Sequence, residues 1–280
     1  MGSQNRVGKV VLTVEGSPLG GILEQSGYVP IYPMKDIQRG VEELLLRAPR
    51  VVVVDHLIME DGEAEATITQ NATTLIKLFS GLRKWDTKVI YLSSSSVYGD
   101  GTGFRESDAL HPETPFAISK VLAEEYITNI LEDYIILRIS PLYGPLEHFN
   151  KSYIEYVITQ AKASKDILAV RDHSVCPLHV KDLIKLLSIL SDELQMRKDV
   201  FNFGRPDLVS QADIALLIIS MIEVDARVIP ITRTDMYGAG SWKTSRLEVS
   251  SMNCMKIFQK LSLDKRTTIQ QGLAGLIKEY

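Results

Sequence analysis

Residues 89–120 read VIYLSSSSVYGDGTGFRESDALHPETPFAISK. The stretch opens inside KVIYLS (88–93), a short apolar run rich in β-branched and aromatic residues. It ends on the serines at 93–96, which is the pattern of a buried strand closed by a polar turn. A loop punctuated by Gly99, Gly101 and Gly103 follows, and helical spacing takes over at 117–131. Strand, loop and helix in that order form one unit of an alternating β/α chain.

The same alternation extends outward on both sides. Upstream, KVVLTV (9–14) reads as a first strand, the Gly/Pro/Ser cluster at 16–21 as its turn, and residues 28–32 as a second strand. Residues 41–47 have helical spacing, VVVV (51–54) is an uninterrupted apolar run, and 67–82 is helical again. A strand with no polar alternation is covered on both faces, which specifies a parallel sheet. Downstream, YIILRI (134–139) is a further strand. These readings predict an α/β, Rossmann-type, doubly wound parallel sheet with helices on both faces and the 9–14 strand at its centre. After Pro145 the pattern changes. Helices at 152–163 and 180–190 surround a short strand containing Pro177, helices follow at 209–222 and 269–277, and 227–231 reads as a strand. The expected organisation is a Rossmann-type domain over 1–145 and a smaller α/β lobe over 146–280, packed as a single unit.

Motifs recur in a fixed order along this frame: Asn71 in the helix before the serine-rich strand, the 89–120 stretch itself, LRISPLYGP (137–145), CPLHVKD (176–182) and FNFGRPDLVS (201–210). Together they resemble the extended short-chain dehydrogenase/reductases, the NAD-dependent epimerase/dehydratase superfamily. Within it the chain is most similar to the dTDP-4-dehydrorhamnose reductase-like branch, which includes a non-catalytic regulatory subunit of methionine adenosyltransferase. The resemblance implies a nucleotide-sugar substrate, an NAD(P) cofactor, and substrate contacts at Pro141, Tyr143 and His179.

It also implies a catalytic tyrosine four residues before a lysine, with a serine nearby to orient the substrate oxygen. Here the tyrosine position holds Phe116, the lysine position Lys120 and the serine position Ser94. Phenylalanine has no ionisable proton and cannot act as a general acid or base, a loss that typically costs ~10²- to 10⁴-fold in rate. The family's cofactor loop, T-G-x-x-G-x-x-G, falls on Thr13, Val14, Ser17 and Gly20, so that the last glycine alone survives in register. Val14 disfavours the positive φ that glycine tolerates, and Ser17 and Pro18 place a side chain and a ring where a pyrophosphate would lie. Thr13, Gly16, Ser17, Leu19 and Gly20 are thus a vestigial cofactor loop, with Lys35 or Arg39 as a phosphate contact after the second strand. Where the family follows its third strand with leucine-alanine-alanine, this chain has Asp55-His56-Leu57. An Asp/His pair at that edge suits acid-base chemistry and repels phosphates. The alternative is that Asp55 caps the next turn and His56 is a loop residue.

Composition bounds the remaining readings. With 280 residues, 45% hydrophobic and 24% charged, the chain has material for a full core, and its net charge of -4 argues against nucleic acid as a partner. Cys176 and Cys254 form no CxxC pair and the histidines do not cluster, so no metal is expected. No apolar run reaches membrane-spanning length and no signal peptide is apparent, so a cytoplasmic protein is expected. Three functions compete. The first is a degenerate family member that binds a nucleotide-sugar-like ligand or a protein partner without needing NAD(P). The second is an NAD(P)-dependent nucleotide-sugar reductase or epimerase with a substitute proton donor. The third is a non-redox enzyme that reuses the cleft with Asp55, His56, Ser94 and Lys120. The resemblance further implies a homodimer through the 67–82 helix and the helix carrying Lys120.

Overall fold

The computed structural model describes residues 8–13, 17–32, 37–55, 64–83, 86–145, 153–237, 249–263 and 266–279. In chain order its strands are β1 (Lys9–Thr13), β2 (Val29–Ile31), β3 (Val51–Asp55), β4 (Lys88–Ser94), β5 (Gly101–Phe104), β6 (Tyr134–Ile139), β7 (Leu142–Tyr143), β8 (Ile167–Val170), β9 (Ser174–Val175), β10 (Leu178–His179), β11 (Asp199–Phe203), β12 (Val209–Ser210), β13 (Val228–Ile231) and β14 (Val249–Met252). The helices are α1 (Pro18–Gln25), α2 (Ile37–Arg47), α3 (Ala64–Leu82), α4 (Pro115–Ile130), α5 (Tyr153–Lys162), α6 (Val180–Asp192), α7 (Gln211–Ile222), α8 (Arg233–Tyr237), α9 (Met255–Leu261) and α10 (Ile269–Glu279).

The four valines of β3 are all buried, and they divide between two cores. Val51 and Val53 pack with Leu19 and Leu23 of α1 and the leucines of α6. Val52 and Val54 pack with Leu44 of α2 and Leu75, Leu78 and Phe79 of α3. Successive side chains of a strand point to opposite faces, so a strand between two helical layers must be apolar at every position. Fully burying each valine contributes roughly 1.5–2 kcal/mol. The expected α/β, Rossmann-type fold is the observed one: six strands in the order β11-β6-β4-β3-β1-β2 form a parallel sheet with helices on both faces.

Two expectations need correction. β1 is not central: β2 is its single neighbour on the outer side, which leaves it second from the edge. The reversal of strand order therefore falls between β1 and β3, and crevices at such switch points are where open α/β sheets bind ligands. The Gly/Pro/Ser cluster at 16–21 is also not a plain turn. Helix α1 begins inside it, with Ser17 as N-cap and Pro18 in the first turn, where a proline's missing N–H costs nothing.

Beyond Pro145 the chain contributes to both regions. Strand β11 returns to the main sheet beside β6, and α6 covers one face of that sheet. Helices α5, α7 and α10 enclose a separate core with β8, which pairs with β13. Cys176 and Cys254 are free and buried.

Candidate functional site

Parallel register brings the ends of β1 and β3 together, with Thr13 beside Asp55. Helix α1 starts directly above them. The Ser17 hydroxyl accepts from the Gly20 N–H at 3.3 Å, capping the helix, and donates to Asp55 Oδ2 at 3.2 Å. One side chain therefore serves the helix terminus and holds the carboxylate against it. Gly20 is required by closeness: a Cβ there would lie 2.7 Å from Thr13 Cγ2, so helix and strand can approach this far only without a side chain. The Leu19 side chain is buried in the core, which leaves its backbone N–H in the first turn of α1 as the group that could meet a cofactor. Val14, Gly16, Lys35 and His56 lie outside the described residues.

Helix α4 brings in the opposite wall. Thr114 caps it through the Ala117 N–H and Pro115 occupies its first turn. Phe116 is half-buried, and Lys120 is 5% exposed with its Nζ 5.5 Å from the centre of the Phe116 ring. The same amine donates to the Leu92 carbonyl at 2.5 Å and lies 5.0 Å from the Tyr91 ring centre. Burial pushes the Lys120 amine down to about 8, against the opposing pull of Asp55 and Glu124. Burial likewise raises the Asp55 carboxyl above the usual range, opposed by Lys120 and by the Ser17 hydrogen bond. Asp55 and Lys120, assigned independently from the sequence, are thus electrostatic neighbours. Ser94 ends β4 and caps the 3-10 turn Ser95–Tyr98, accepting from the Ser96 N–H at 3.2 Å and the Ser96 hydroxyl at 2.9 Å.

Behind this edge lies a buried polar network that sequence reasoning missed. Arg138 of β6 pairs with Glu124 of α4 at 2.6 Å, and Ser93 donates to the same carboxylate at 2.5 Å. Arg138 also donates to the Tyr98 hydroxyl at 2.7 Å, which in turn donates to Asn202 of β11 at 2.8 Å. A charge inside the otherwise apolar YIILRI strand was the available signal, because buried charges persist when paired. The network joins residues of three recurrent motifs and gives them a structural task, tying the strand ends that carry the crevice.

The proposed substrate residues are not equally placed. Pro141 is exposed, while Tyr143 and His179 are buried and meet edge to face with ring centres 5.0 Å apart. His179 caps α6, its Nδ1 accepting from the Lys181 N–H at 3.2 Å, and burial lowers its pKa. It also lines a small open pocket of about 80 Å³ with Lys181, Thr267, Gln271 and Gly272. Among the described residues no group of three potential ligands could hold a metal ion, and no helix is long and apolar enough to cross a membrane.

Comparison with known proteins supplies the context for this arrangement. Residues 50–204 match the family model described as NAD dependent epimerase/dehydratase family. The chain is 25% identical over 253 residues to the spore coat polysaccharide biosynthesis protein SpsK of Bacillus subtilis (strain 168), spanning 82% of this chain and 84% of that one. It is 25% identical over 180 residues to methionine adenosyltransferase 2 subunit beta of Bos taurus, 61% of this chain and 53% of the relative. Among solved structures, dTDP-4-dehydrorhamnose reductase from Bacillus anthracis str. Ames in complex with NADP superposes with a TM-score of 0.83, covering 97% of this chain and 99% of that one at 18% identity.

Proposed function

The chain belongs to the NAD dependent epimerase/dehydratase family, and from that premise we propose that it binds a nucleotide-sugar-like ligand or a protein partner without NAD(P)-dependent hydride transfer. The observation that carries this reading is Phe116 at the family's acid-base position, beside a lysine that has stayed in place. A buried amine next to a hydrocarbon ring has no hydroxyl to activate. The residues at the sheet edge also fit the dinucleotide poorly, because Ser17, at the helix terminus that would receive a pyrophosphate, is committed to capping α1 and to holding Asp55. The relatives supply the ligand classes: one is named for polysaccharide biosynthesis, one is a dTDP-sugar reductase, and one is a subunit of another enzyme. A homodimer through α3 and α4 belongs to the same proposal; Ile76 and Leu122 are exposed apolar residues on these helices.

One observation favours the reductase or epimerase with a substitute donor. The Lys120 amine, at about 8, is poised to exchange a proton near neutral pH. The two readings separate in one experiment. Wild type and Phe116→Tyr are assayed with NADPH and a 4-keto nucleotide sugar. The non-redox reading expects no turnover from either protein, since a restored hydroxyl is useless where no hydride source binds. Turnover by the wild type, or a gain of ~10²-fold or more in the variant, would establish the rival.

A further inference from the structure

We propose that Asp55 is the residue that decides which ligands this crevice accepts: its carboxylate occupies the place of a dinucleotide's pyrophosphate and thereby excludes NAD(H) and NADP(H). The inference deepens the non-redox reading and rests on it. Its basis is geometric. Asp55 sits at the carboxyl end of β3, on the switch point between β1 and β3, and its Oδ2 is held at 3.2 Å by the N-cap of α1. A phosphate seeks that helix terminus for its unpaired N–H groups and positive dipole end, and here an anion belonging to the chain is already there. Gly20, the glycine that brings α1 down onto β1, is retained, so the docking of helix on strand is kept while the anion position is filled from within.

The surroundings are arranged for a fixed carboxylate. Lys120 of α4 is the opposing charge that acts on it; Tyr91 of β4 and Glu124 of α4 belong to the same electrostatic group. Glu124 is itself matched by Arg138. Thr13, fully buried beneath α1, also stabilises the charged form of the same carboxylate through its side chain. A dinucleotide entering this edge would bring two phosphate charges against Asp55, and like-charge juxtaposition of this kind is a strong discriminator between ligands. In the family pattern this position is uncharged, and Asp55 adds a charge to the obstruction that Ser17 and Pro18 already present.

The test is direct titration of the full chain with NADH and with NADPH, following nucleotide fluorescence, for the wild type, Asp55→Asn and Asp55→Ser. Asparagine keeps an oxygen to accept from Ser17 while removing the charge; serine also opens space. The expected result is no saturable binding by the wild type and an affinity at least ~100-fold higher in both variants. Melting curves establish that the variants are folded. Should they not fold, the wild type supplies the same test through pH. Burial raises the Asp55 carboxyl above the ordinary carboxylate value, so acidification neutralises it before an exposed carboxylate, and NADH affinity must rise as pH is lowered. Folded variants that bind no better than the wild type, a flat pH profile, or tight dinucleotide binding by the wild type each overturn the role of Asp55. The non-redox reading fails separately, on turnover by the wild type, so the two failures are distinguishable.

Discussion

Replacing Lys120 by methionine tests the electrostatics of the crevice through stability. Lys120 is 5% exposed and its amine is pushed by burial from 10.5 to about 8 in the folded protein. Between these values the unfolded chain keeps a proton that the folded chain has released. The unfolded state then binds more protons, so stability must rise with pH across this window. Each pH unit of separation is worth about 1.4 kcal/mol, which makes the whole rise about 3 kcal/mol. Below about pH 8 the amine is charged in both states and its burial costs the folded protein the full amount. Lys120→Met abolishes the increment. The other ionisable groups are common to both proteins, so the difference between wild type and variant isolates Lys120. Urea unfolding followed by circular dichroism at about pH 7.5 and about pH 10 measures it. A variant whose stability rises with pH as much as that of the wild type would show that Lys120 is an ordinary solvated amine, and the account of the Asp55–Lys120 pair would fail with it.

Two further substitutions probe the framework. Gly20→Ala places a methyl 2.7 Å from Thr13 Cγ2; the overpacking, ~1–3 kcal/mol, outweighs a helix-propensity gain of at most ~1 kcal/mol, and Thr13→Ser in the same chain recovers part of the loss. A stabilised Gly20→Ala protein in thermal melts would refute the close approach of α1 and β1. Glu124→Gln leaves the Arg138 guanidinium buried without its counter-charge and lowers stability by ~3–5 kcal/mol in chemical denaturation, where a loss below ~1 kcal/mol would mean that the network carries little.

The unbroken valines of 51–54, the YIILRI strand and the helical spacing of 67–82 were legible because each records a local environment: two-sided burial in the strands, one-sided burial in the helix. Helix α1 was not. Its glycines and proline are turn formers by themselves, and they become a helix start once Ser17 caps it and Gly20 docks on Thr13. Strand β11 shows in the sequence only as part of the 201–210 motif, because its place beside β6 depends on a chain that leaves the sheet and returns to it. The position of β1 second from the edge is hidden for a related reason: strand order is a matter of which crossovers the chain makes, and periodicity says nothing about it.

The site divides along the same line. That Phe116 brings no proton to the family's tyrosine position follows from side-chain chemistry and needs no coordinates. That Leu19 belongs to the core, that Ser94 is engaged in capping its own turn, and that Ser17 grips Asp55 while Lys120 faces it from another helix were decided by folding alone. Residues 17, 55 and 120 come from three separate elements, and their hydrogen bond and charges acquire meaning when parallel register and helix docking place them at one partly buried edge of the sheet.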